Sequence, residues 1–69
     1  MLAPLSPAGP RSTFQDLLHG ALLGGRVPPT MSGLGPDTVA AIEAIAREHP
    51  EATAELIADA YDAFTREHP

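Results

Sequence analysis

The side chains most suited to chemistry come as a repeated pair. Glu48-His49 and Glu67-His68 each follow an arginine and precede a proline, and His19 stands apart from both. Carboxylate and imidazole are metal-ligand types, but zinc needs all its ligands within about 2.1 Å of one ion. If the segments carrying the two pairs are antiparallel helices, His49 lies at the tip and His68 at the far end. A helix of about 17 residues is about 25 Å long. No metal site is therefore expected, and His49 and His68 are expected to sit at helix ends, where positive charge complements the dipole. Gly33-Leu34-Gly35 before a helix has the look of a phosphate loop. It follows no strand, Pro36 removes one N–H that such a loop needs, and the chain has no lysine. No Ser, His and Asp are spaced as a triad, and so short a chain leaves little room for a substrate pocket. No catalytic residue, no cofactor and no enzyme activity are expected.

Composition narrows the partners. The 69 residues allow one small domain. There is no cysteine for a disulfide or thiolate site. Lysine, asparagine and tryptophan are also absent, and all basic residues are arginine, the usage of a GC-rich, bacterial genome. The formal charge is -5. Residues 37–69 hold eight carboxylates against Arg47 and Arg66, whereas residues 1–36 hold only Asp16 against Arg11 and Arg26. Nucleic acid and anionic membrane are excluded as default partners, because both require cations to neutralise phosphate. A helix-turn-helix reading fails for the same reason. The third helix would carry Glu51, Glu55, Asp59, Asp62 and Glu67 against Arg66. No run approaches a membrane span, and the start lacks both a basic region and an unbroken apolar run, so a cytoplasmic location is expected.

The elements that position these residues follow from spacing. Residues 1–11 hold three prolines among small residues and read as an extended arm. Phe14, Leu17, Leu18, Ala21 and Leu22 make one helical stripe, predicting a helix over 13–23. Ser12 with Gln15, or Thr13 with Asp16, offers a capping box, and Gly24-Gly25 the stop. Residues 24–35 are rich in glycine and proline and read as a hinge. Domain organisation is thus an arm with one short amphipathic helix and linker over 1–35, then an acidic helical hairpin over 36–69. Ala41–Pro50 returns as Ala60–Pro69 with its large apolar positions and its Arg-Glu-His-Pro ending kept. The repeat predicts helices over 37–48 and 51–66, with Pro36 favoured at the first helical position and Pro50 ending one helix and starting the next. The fold class is all-α, closing as a three-helix or intermolecular bundle.

Two helices cannot cover each other's apolar faces completely. The residues expected to meet a partner are Phe14, Leu17, Leu18, Leu22, Val39, Ile42, Ile45, Leu56, Ile57, Tyr61 and Phe64. The expected function is a non-catalytic helical protein–protein association module, either self-associating into a homo-oligomer or docking onto a larger protein with a basic surface as an obligate complex. Two alternatives stay open: a small regulator (antitoxin, inhibitor or precursor) that folds on its partner, and an acidic docking segment of a large synthase or phage assembly.

The run Val39-x-x-Ile42-x-x-Ile45-Ala46-Arg47-x-His49-Pro50, followed by Ile57-x-x-Ala60-Tyr61-x-x-Phe64, resembles the first two helices of small actinobacterial three-helix-bundle dimerisation domains. The resemblance covers residues 39–64. In that family a third helix follows directly, whereas here the sequence stops at Pro69. The resemblance implies that the bundle is incomplete or that Phe14–Leu23 takes the missing helix's place. It further implies helix-mediated dimerisation without catalysis.

Overall fold

Three stretches of helical periodicity become three helices in the computed structural model, which describes residues 9–69. They are α1 (Pro10–Gly24), α2 (Pro36–Glu48) and α3 (Ala54–Glu67). Among the described residues there is no strand. Residues 1–8 of the expected arm lie outside the described residues.

Helix α2 starts at Pro36 as expected, whereas α1 starts earlier and α3 later than spacing alone predicts, each for a local reason. Helix α1 opens at Pro10, with Gly9 as its N-cap and no side-chain cap. Proline suits the first helical position, where its missing N–H costs nothing. Ser12 and Thr13 therefore lie inside the helix and neither capping box forms. Instead, the Thr13 N–H and hydroxyl both donate to the Gly9 carbonyl, at 3.1 and 3.4 Å. Helix α3 starts at Ala54 and not at Pro50. Thr53 is its N-cap, the hydroxyl accepting from the Leu56 N–H at 3.2 Å. A side chain that satisfies an orphan amide outcompetes the proline start. Residues 49–53 thus form a true connection, closed by the Glu51 N–H donating to Glu48 at 2.7 Å.

The helices share one core. Phe14, Leu18 and Ala21 from α1, Ile42, Ile45 and Ala46 from α2, and Ala60 from α3 bury against one another. Helix α2 packs on both neighbours. Helices α1 and α3 meet through rings: Phe14 stacks on Phe64 with centroids 4.5 Å apart and meets Tyr61 edge-on at 5.2 Å. Ala60 and Ala63 of α3 are buried as well.

Direction explains the long connection. The N-terminal half of α1 lies by the C-terminal half of α3, through Phe14 and Phe64. Its C-cap Gly25 lies against His49 at the end of α2. Helices α1 and α2 therefore run parallel, and α3 returns antiparallel. A parallel neighbour must be reached by travelling back along its whole length. Helix α2 is 13 residues long, about 20 Å. Residues 25–35 make that return, with Pro28 buried and Leu34 packed on the core. Gly25 starts it in the left-handed conformation, φ 65°, its N–H donating to Ala21 and the Arg26 N–H reaching Gly20. This glycine ends α1 as expected from Gly24-Gly25.

Candidate association surface

The aromatic ladder opens the site. Its rungs are Tyr61, Phe14, Phe64 and His68, the last stacked on Phe64 at 5.0 Å. They line the groove between α1 and α3, and the groove exists because these two helices touch through long side chains, not backbone to backbone. One end, about 300 Å³, is bordered by Arg11, Gln15, Tyr61, Thr65 and His68. The other, about 360 Å³, is bordered by Asp16, His19, Leu22 and again Tyr61. Tyr61 is 48% exposed and central to both.

The expected partner-facing residues divide. Phe14, Leu18, Ile42 and Ile45 are buried in the chain's own core, Phe14 and Leu18 reaching only the floor of the groove and Ile42 and Ile45 presenting no surface. The cause is the docking of α1, which takes the position that a second chain could have filled. Leu17, Leu22, Leu56, Ile57 and Phe64 are half-buried at the core's margin, as is Val39. Leu23, Val27 and Met31 are also exposed, on the end of α1 and the return segment.

At one end of this groove lies an arrangement that periodicity did not reveal. Helix α2 has Gly35 as its N-cap and no cap from its own sequence. Its first-turn donors are completed by Glu67, about thirty residues away in sequence. The Asp37 N–H donates to Glu67 Oε2 at 3.0 Å, and the Thr38 N–H and hydroxyl both donate to Oε1 at 2.7 Å. Pro36 has no N–H to satisfy, and Val39 already donates to the Gly35 carbonyl at 3.0 Å. The orphan donors of the α2 N-terminus are thereby accounted for, and the carboxylate sits where the helix dipole favours negative charge. The Gly35 N–H donates to His68 Nε2 at 3.1 Å. A Cβ at Gly35 would fall on the Glu67 carboxylate, so a larger residue here would have to displace that side chain from its place. Its φ of -68° suits any residue.

The Thr38 hydroxyl, first of all, holds the Glu67 carboxyl below its usual range. Partial desolvation opposes this. The Asp37 and Thr38 amides reinforce it, as does the charge of His68 when that ring is protonated. Thr38 is fully buried. A signal for it was present: Thr38, Ile42 and Ile45 fall on one helical face, so a polar residue in that register needed a polar partner. The partner's identity was not readable from spacing.

The two Glu-His pairs therefore share a role by different means. Each histidine seats against the glycine cap of another helix, His49 at Gly25 and His68 at Gly35. Among the described residues no three metal-ligating side chains gather in one place, and no helix is long and apolar enough to cross a membrane. No family model, curated protein or solved structure matches the chain, and the likeness to dimerisation domains rests on its residue spacing.

Proposed function

We propose that the chain is a non-catalytic helical association module that pairs with a second copy of itself through the α1–α3 groove. The observation that carries this reading is Tyr61, half exposed beside Leu22 at the middle of an open groove while the rest of the large aromatic set is packed. An aromatic residue with an apolar body and a polar tip is a favoured interface anchor. Groove charge favours self-pairing. Arg11 borders one end and Asp16 the other. A two-fold axis near Tyr61 sets each Arg11 toward its partner's Asp16, as an isologous contact demands. The acidic stripe Glu55, Asp59 and Asp62 on the outer side of α3 stays in solvent, where two copies need not face each other. A second reading, docking onto a larger protein with a basic surface, is favoured by that stripe and by the chain's charge of -5.

Light scattering on the free chain tests the proposal. The expected mass is that of a dimer. Tyr61→Asp is expected to give a monomer of unchanged helicity, and Asp59→Asn to remain dimeric. A wild-type monomer at all concentrations refutes self-pairing and leaves the basic partner as the reading to pursue.

A further inference from the structure

We propose that the segment preceding α1 completes the pairing: residues 2–8 of each copy lie as an extended, proline-spaced ridge on the partner's groove end, over His19, Leu22 and Leu23. This contact rests on the pairing proposed above and covers the part of the groove that lies beyond the reach of the partner's α1.

Read in threes, residues 1–10 sort into three edges. Met1, Pro4, Pro7 and Pro10 form one, Leu2, Leu5 and Ala8 the next, and Ala3, Ser6 and Gly9 the third. A polyproline II helix has three residues per turn, so this spacing gives it two adjacent apolar edges and one small, polar edge. No charged side chain interrupts it before Arg11. Aromatic-lined grooves accept ridges of this kind. The carbonyls of such a helix make no internal hydrogen bonds and take donors from the groove that receives them.

Pro10, last of the proline series, is also the first residue of α1, and it borders the groove mouth beside Phe64. Gly9 before it is extended, at φ -77° and ψ -178°, which continues a ridge and does not reverse it. Folding back onto the chain's own groove would need a four-residue turn over the very residues that carry the ridge. The two-fold pair needs no turn. There α1 runs antiparallel to the partner's α1, with Arg11 beside the partner's Asp16. Pro7 stands four residues before Arg11, about 12 Å away at about 3.1 Å per residue. Leu23 stands seven residues past Asp16, about 10 Å along the helix. Pro7 therefore arrives at the partner's Leu23, with Ala8 near Leu22 and Leu5 just beyond. Leu22 and Tyr61 line this groove end, and Leu23, beside His19, is 72% exposed. Gln15 and His19 border the same end and offer N–H donors to the arriving carbonyls.

Paramagnetic NMR on the full chain tests this. The chain has no cysteine, so Ser6→Cys gives one attachment point for a spin label, on the edge turned away from the groove. Labelled chain is mixed with isotope-enriched wild type, so that only contacts between copies are read. The amides of His19, Leu22 and Leu23 are expected to broaden, and those of Thr38 and Val39, at the opposite end of the bundle, to stay sharp. Leu5→Asp is expected to weaken pairing by about tenfold or more at unchanged helicity, because it carries a carboxylate into an apolar contact. Ser6→Asp should change pairing by less than about twofold, as surface substitutions do. A dimer whose mixed sample shows no broadening overturns the proposal and leaves the pairing itself standing. So does broadening seen only when label and isotope share one chain, which puts the segment on its own groove, and so does undiminished pairing in Leu5→Asp. A wild-type monomer removes the pairing and this contact with it.

Discussion

At the residue scale, position decides what a repeated residue type does. Glu48 is exposed, while its counterpart Glu67 holds four polar atoms in place together with His68. The Glu67 carboxyl is held below its ordinary range in the folded chain. Its contribution to stability is therefore fully present above the unfolded carboxylate range, near pH 4.5. That contribution is lost as pH falls through the lowered folded value. Melting followed by circular dichroism from about pH 6 downward should show wild type losing stability faster than Glu67→Gln below about pH 4.5. Parallel curves would remove Glu67 from the acid response. Ile45 makes a contrasting test. It is completely buried between all three helices. Ile45→Ala should cost about 2–5 kcal/mol by denaturant titration, from lost transfer energy and an unfilled cavity. A cost under about 1 kcal/mol would place it outside the core.

At the element scale, the helix ends are secured by three different means. Helix α3 carries its own cap in Thr53, α1 relies on a proline start and a left-handed glycine, and α2 takes its cap from α3. The first is local, so Thr53→Ala should cost about 1 kcal/mol and nothing in association. Chemical denaturation of the variant reads the first part and light scattering the second. The α2 cap is tertiary and should fail together with the bundle. The equal treatment of the two halves of the repeat thus hides a division of labour: one copy's end seats a turn, the other's completes a helix.

At the scale of the whole molecule, α1 is the helix that turns a hairpin into a bundle. It supplies Phe14, Leu18 and Ala21 to the core and the inner ring of the aromatic ladder. Without it Ile42 and Ile45 face water. A truncation beginning at Leu34 should lose its cooperative thermal transition and bind dyes that report exposed apolar surface. If it melts like the full chain, α1 contributes nothing to folding and the core assignment is wrong. Parallel α1 and α2 also give the return segment a structural duty. Its length follows from the distance it must cover, with Pro28 and Leu34 fastened to the bundle on the way.

Much of this was readable from residues alone. The stripes Phe14-Leu18-Ala21 and Ile42-Ile45 announced helices and the faces they bury, because apolar periodicity is a property of a single turn and its neighbours. Gly25 and Pro50 marked two stops for the same local reason, a backbone conformation that one residue favours or forbids. The tertiary structure alone decided which surface covers the hairpin, that α1 runs parallel to α2, and that Glu67 and His68 close on Gly35, Asp37 and Thr38. Those choices join groups 29 to 33 residues apart. No pattern within a helical turn reaches that far, and a carboxylate bound for a distant helix end has the same identity as one bound for solvent. Only the packing that brings the end of α3 to the start of α2 tells Glu67 from Glu48.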